Sequence, residues 1–163
     1  MSTRAPIRFV DAAQDPWRAL PDAAVQPLAH ALLSLDQWQQ LRPEWPSALA
    51  VGVVVANTVD VETLADDLPR WSLVALHFPK WTDGRAYSQA RLLRARLRYG
   101  GEVRATGEVL VDMLPLLQRN GFDAALLRAD QDLDAARRAL KFFAGHYQGD
   151  VVQSRPLFSR IEA

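Results

Sequence analysis

The stretch Ala48-Leu49-Ala50-Val51-Gly52-Val53-Val54-Val55-Ala56, followed at once by Asn57-Thr58-Val59-Asp60, sets the reading of the whole chain. A continuous Val-rich apolar run bounded by helix-cap residues is what a strand buried on both faces requires. Leu73 to Phe78 repeats the pattern. A third, shorter strand is expected over Glu102 to Thr106 and a fourth within Phe122 to Arg128. Helical stripes fill the intervals. A short helix runs to Leu68 and is stopped by Pro69. Arg85 to Tyr99 carries Ala86, Ala90, Leu93 and Leu97 on one stripe, with Gly100-Gly101 as its stop. Val109 to Arg119 turns Leu110, Met113, Leu114 and Leu117 inward before Asn120-Gly121. Asp130 is placed to cap a last helix with Leu133, Ala136, Leu140 and Phe143 on its stripe.

Strands alternating with helices mean βαβ units, and so an α/β fold with a mostly parallel sheet and right-handed crossovers. A doubly wound open sheet is the first expectation. A half-barrel of successive βα units is the alternative, because periodicity does not give strand order.

Working outward, residues 1–46 differ from this body. They hold Pro6, Pro16, Pro21, Pro27 and Pro43, with Pro46 closing the segment. Ile7 to Val10 fits a short strand. Ser34-Leu35-Asp36-Gln37 reads as a capping box opening a helix to about Leu41. The expected organisation is an N-terminal arm (1–46) packed on the body, an α/β domain (47–152) and a C-terminal tail (153–163). Val151 and Val152 are expected to add a small final strand.

The 163 residues suit one domain of ordinary size. Nineteen basic residues balance nineteen acidic ones. No global grip on nucleic acid or anionic membrane follows from such a balance. The longest apolar run is far short of the roughly 20 residues of a spanning helix. The Met1–Phe9 stretch has no apolar signal core, and the expected location is cytoplasmic. The chain has no cysteine. Thiolate nucleophiles, CxxC redox chemistry, iron–sulfur clusters and Cys-ligated zinc are therefore outside its own chemistry.

In parallel α/β sheets ligands bind beyond the carboxyl ends of the strands. That rule selects Asn57-Thr58, Lys80 to Arg85, Thr106-Gly107-Glu108, and Arg128 with Asp130. The second of these is the richest. Lys80, Asp83, Gly84, Arg85, Tyr87 and Ser88, with Gly107 from the next loop, form a candidate site for a small anion at a helix start. Asp83 is the conflict, since it would cap the helix itself and repel that anion. The plain alternative is a turn in which Asp83 caps, Gly84 relieves strain and Trp81 covers the sheet edge. Along the same helix Arg91, Arg94 and Arg98 recur at spacings three and four. With Trp81 they form a candidate docking strip for an acidic partner, the alternative being a solvated face.

No generic catalytic motif is present. Gly100-Gly101-Glu102 does not make a dinucleotide fingerprint, and Walker A and GxSxG patterns are missing. His77, inside an apolar strand, reads as a core histidine, and His30 and His146 as surface residues. The Asp130, Asp132, Asp134 series lacks the glycine and distal glutamate of a calcium loop. No metal site is expected. Neither flavin nor NADPH is demanded or excluded.

Three segments together carry a resemblance. They are Thr82-Asp83-Gly84-Arg85-Ala86-Tyr87-Ser88 with Ala90-Arg91-Leu92-Leu93-Arg94, then Gly101-Glu102-Val103-Arg104-Ala105-Thr106-Gly107-Glu108-Val109-Leu110, then Arg119-Asn120-Gly121-Phe122-Asp123-Ala124. In this order they resemble a bacterial family catalogued as domain of unknown function 934, from about Trp45 to Val151. Members are usually encoded beside the sulfite reductase haemoprotein and a sulfonucleotide reductase, and are labelled oxidoreductases of sulfite reduction. The resemblance therefore implies a role in assimilatory sulfate reduction, and it supplies no catalytic residues. The expected function is an accessory protein that docks on sulfite reductase, its electron donor or another sulfate-assimilation enzyme. The alternative is an anion-, nucleotide- or flavin-binding enzyme subunit using the Lys80–Arg91 region.

Overall fold

Among the described residues, seven parallel strands make one sheet in the order β1-β7-β6-β5-β4-β3-β2. They are β1 (Arg8–Phe9), β2 (Arg18–Ala19), β3 (Ala31–Ser34), β4 (Val51–Ala56), β5 (Leu73–Phe78), β6 (Glu102–Gly107) and β7 (Ala124–Ala125). The helices are α1 (Leu35–Leu41), α2 (Arg85–Ala95), α3 (Leu114–Arg119) and α4 (Leu133–Lys141). The computed structural model describes residues 6–21, 26–141, 149–151 and 155.

From β2 to β7 the strands lie in sequence order with no reversal. Right-handed crossovers that all step the same way place the connecting helices on one side of the sheet. The sheet curls away from them into a half-barrel. This corrects the doubly wound expectation, which needs a reversal of strand order and helices on both faces.

The N-terminal segment does more than pack on the body. It supplies both edges of the sheet: β1 pairs with β7, Arg8 opposite Ala124, while β3 and β2 extend the sheet beyond β4. Helix α1 carries the expected capping box, with Ser34 Oγ accepting from the Gln37 N–H at 3.1 Å and Gln37 Oε1 accepting from the Ser34 N–H at 2.9 Å.

The core lies between the sheet and its helices. Val51, Val53 and Val55 from β4, Val74, Leu76 and Phe78 from β5, and Val103 and Ala105 from β6 meet Ala86, Ala90 and Leu93 of α2 and Leu114 and Leu117 of α3. The alternate residues point to the other face, following the two-residue period of a strand. Gln89 closes α2 onto the chain after β4, donating from Nε2 to the carbonyls of Ala56 and Val59 at 2.8 Å each.

Several boundaries moved for identifiable reasons. The segment after β4 forms 3-10 turns, Val61–Leu64 and Leu68–Arg70, and no α-helix. Asp60 caps the first through the Glu62 N–H, and Pro69 sits in the second. Helix α2 stops at Ala95, short of Tyr99, because Arg98 adopts a left-handed conformation (φ 52°). The Tyr99 N–H returns to the Leu93 carbonyl at 2.8 Å and ties the turn back to the last helical residues. Helix α3 begins only at Leu114, preceded by the 3-10 turn Val111–Met113, because Pro115 has no N–H and fits the first helical turn. The fourth expected strand shrinks to Ala124–Ala125. Asp132, not Asp130, caps α4, accepting from the N–H groups of Asp134 and Ala135 at 3.0 and 3.1 Å. Phe143, His146 and Val152 lie outside the described residues, and Val151 is in a bend. Among the described residues no helix is long and apolar enough to cross a membrane.

Candidate functional site

The carboxyl ends of β4, β5 and β6 converge at one end of the half-barrel. In register there, Ala56 lies opposite His77, and His77 opposite Thr106. His77 is exposed, which corrects its reading as a core histidine. It shares the helix-free face with Leu73 and Ala75, while Val74, Leu76 and Phe78 fill the core. No hydrogen bond to its imidazole occurs among the described residues. Gly107 (φ 89°) passes so close to that ring that a Cβ on it would stand 2.7 Å from Cε1.

The loop after β5 presents Lys80 and Trp81 to solvent. Trp81 is 57 % exposed, the highest value among the described large apolar side chains. An indole left this exposed forgoes the stabilisation that burial, in the fold or against a partner, would give.

Asp83 settles its own conflict. It accepts from the Arg85 N–H at 3.2 Å, which caps the start of α2. It also takes the Arg85 guanidinium in a fork, Nε to Oδ1 at 3.0 Å and Nη2 to Oδ2 at 2.6 Å. These bonds to Arg85 hold the Asp83 carboxyl well below the usual carboxylate range. The guanidinium and the amide offered for an external anion are thus held by Asp83. Asn57 is buried close to this pair, yet its Nδ2 has no hydrogen-bond partner among the described residues.

Tyr87 belongs to an aromatic cluster, edge-on to Phe78 at 5.2 Å and to Phe122 at 6.4 Å between centroids. Burial pushes its hydroxyl up to about 12, so it stays protonated through the neutral range. Ser88 and Gly84 are exposed, and Gly84 has open space around it apart from the Tyr87 ring. Across the mouth, Arg128 bonds Glu108 at 2.7 Å and Asp130 at 2.6 and 2.7 Å. The guanidinium, with help from Gln131, lowers Asp130 to about 2. The loops after β6 and β7 are joined by this network.

The docking strip does not form as a strip. Arg94 turns inward, and its side chain is only 4 % exposed. It donates to the carbonyls of Gly121 (2.9 Å), Tyr99 (2.6 Å) and Gly101 (2.8 Å) and pairs with Asp123. It is a staple between the end of α2 and the turns that lead into β6 and β7. Arg98 lies beyond the helix end, and Arg96 pairs with Glu62 at 2.8 Å. Arg91 remains on the exposed side of α2. The structure brings Lys80, Trp81, Asp83 and Arg85 together in one loop, and Gly107 to the edge of the same mouth. It separates Arg91 and Arg98 from them. His77 was missed, although its alternation with Leu73 and Ala75 marks the helix-free face. Among the described residues no group of three or more His, Asp or Glu is arranged to hold a metal ion.

These features define an all-parallel α/β half-barrel with an aromatic and basic loop at its carboxyl mouth. The family model described as "Bacterial protein of unknown function (DUF934)" matches residues 52–158, and the chain belongs to that family. No curated protein matches the chain. The matched region begins inside β4, so β1, β2 and β3 precede it.

Proposed function

We propose that this protein is an accessory component of a sulfite-reducing system and docks on the sulfite reductase haemoprotein or its electron donor. The pathway comes from what the family resemblance implies. The mode of action is supported by one observation: Trp81 stands exposed on a loop beside Lys80 and the Asp83–Arg85 pair, at the strand ends. An exposed tryptophan flanked by cationic side chains is the kind of anchor that dominates protein interfaces. Acidic groups on a partner would meet Lys80 and speed encounter. The Asp83–Arg85 fork fixes the base of the loop, so the anchor is presented with little conformational freedom to lose.

The test is co-purification of the tagged full chain with the haemoprotein, followed by titration of the purified pair. Trp81→Ala is expected to weaken the complex at least about tenfold, which is the lower range for an interface anchor. Lys80→Glu should slow association and remove much of its salt dependence. A gene-deletion strain that grows normally on sulfate as sole sulfur source would overturn the reading. So would binding that survives both substitutions.

A further inference from the structure

Strand β6 puts Arg104 on the sheet face that carries no helices, since its neighbours Val103 and Ala105 point into the helix-covered core. Its cross-strand neighbours are small and fully buried: Ala75 on β5 and Ala124 on β7. Room is thereby left for a large side chain within the curl. The Arg104 side chain is 3 % exposed, a charged group almost entirely removed from water. Such a group needs compensation from neighbouring charge.

Two carboxylates supply it. Arg104 Nε donates to Glu102 Oε1 at 2.8 Å, and Glu102 Oε2 in turn accepts from Arg8 Nη2 at 2.9 Å. The outer end of the guanidinium faces Asp15: Nη1 donates to Oδ2 at 2.5 Å and Nη2 to Oδ1 at 3.3 Å. Asp15 Oδ1 also accepts a long bond from the Trp17 N–H at 3.5 Å, and the Asp15 carbonyl accepts from Arg18. The four side chains Arg8, Glu102, Arg104 and Asp15 balance in charge. Without Asp15 two cations would face Glu102 alone.

Asp15 and Arg104 come from very different parts of the molecule. Asp15 lies on the strap between β1 and β2, which has no strand or helix of its own. The strap is tied at its far end by β2, two exposed residues at the sheet edge. It lies outside the family-matched region, whereas Arg104 and Glu102 lie within it. A guanidinium fork gripping two oxygens of one group is the geometry used for free carboxylates, sulfates and phosphates. We propose that Arg104 is the floor of a small-oxyanion site inside the half-barrel, and that Asp15 is its built-in occupant. An external oxyanion takes the site by displacing the Asp15 carboxylate and lifting the strap. This proposal does not depend on the docking reading.

The test uses thermal unfolding of the full chain. Asp15→Ala and the neutral isostere Asp15→Asn are melted in sodium sulfate, sulfite, phosphate and acetate, against sodium chloride at equal ionic strength. Sulfate and phosphate stabilise folded proteins generally. The double variant Asp15→Ala/Arg104→Met, which lacks the guanidinium, therefore reports that common background. The expected result is that the Asp15 variants gain a rise in melting temperature above background that grows with the logarithm of anion concentration, about 5–10 °C at a hundredfold excess of anion over its Kd. The ranking of the four anions names the class. Asp15→Asn keeps the side-chain shape and carries the test if Asp15→Ala does not fold. A folded Asp15 variant whose rise does not exceed that of the double variant overturns the proposal. In the wild type, amide exchange across residues 11–20 should quicken with the best anion. Exchange indifferent to that anion would leave Asp15 a structural counterion.

Discussion

Gly107 lies against the imidazole of His77 and under the carbonyl of Phe78: a Cβ added to residue 107 would stand 2.7 Å from His77 Cε1 and 2.3 Å from that oxygen. Its φ of 89° is also one that side-chain-bearing residues rarely adopt. Both facts follow from the chain turning sharply out of β6, where the Glu108 N–H bonds the Phe78 carbonyl at 2.8 Å. Gly107→Ala is therefore expected to cost about 2 kcal/mol or more. The measurement is urea unfolding, with the midpoint lowered and the slope unchanged. His77→Ala should leave stability within about 0.5 kcal/mol, because the ring is exposed and makes no hydrogen bond among the described residues.

Arg94 and Arg91 are three residues apart on α2 and should behave oppositely. Arg94→Met leaves three carbonyls and Asp123 without its guanidinium, and a loss of about 3–5 kcal/mol is expected. Arg94→Lys should not restore it, since one ammonium cannot reproduce a planar fork. Arg91→Glu, on the exposed side, should change stability by less than about 0.5 kcal/mol. Denaturant midpoints for the three variants decide this.

The arginines show where sequence reading runs out. Spacing placed Arg91, Arg94 and Arg98 on one stripe only if the helix continued to Tyr99. The left-handed turn at Arg98 breaks that stripe, and the inward reach of Arg94 depends on carbonyls brought near by β6 and β7. By contrast, β5 was legible to the residue, because six apolar-dominated positions between Ser72 and Pro79 admit little else. Strand order was not legible. The partner of β1 is β7, and nothing local in Arg8–Phe9 encodes Ala124–Ala125. In the site, the capping role of Asp83 was readable from Asp-Gly before a helical stripe. The helix-free side of β5 was hidden by reading that strand as buried on both faces.

Removal of residues 1–46 tests whether that segment is an appendage. It would strip β1, β2, β3 and α1, baring the edges of β4 and β7 and removing Trp38 and Trp45 from the core. A fragment of residues 47–163 is expected to lose cooperative thermal unfolding. A sharp transition in the fragment, followed by circular dichroism, would show that the body stands alone.

The acid limb of the stability curve should carry the signature of three carboxylates. Asp83, Asp130 and Asp132 are all held below their ordinary range, by the Arg85 pair, the Arg128 pair and the N–H groups opening α4. For each, the unfolded chain takes up its proton at a higher pH than the folded one. Their stabilisation is present above about pH 4 and is lost as the pH falls through the folded values, toward pH 2 and below. Asp83→Asn should flatten the slope in that window without altering stability differences above pH 6 in shape. Because these side chains meet solvent, the effect should shrink in 0.5 M salt, on the order of the screening expected for surface pairs.

The pairing of Arg8 with Ala124 also dictates an order of events during synthesis. Strand β1 leaves the ribosome well before its partner β7, which lies more than one hundred residues downstream. At about 5–20 residues per second the delay is roughly 5–25 s. Over that interval the β1 edge and the strap carrying Asp15 have no sheet to close on, while β3, β4 and β5 can already pair in turn. Strand β1 therefore acts as a clasp that shuts only after β7 has been made, and a chain truncated before β7 cannot fasten it.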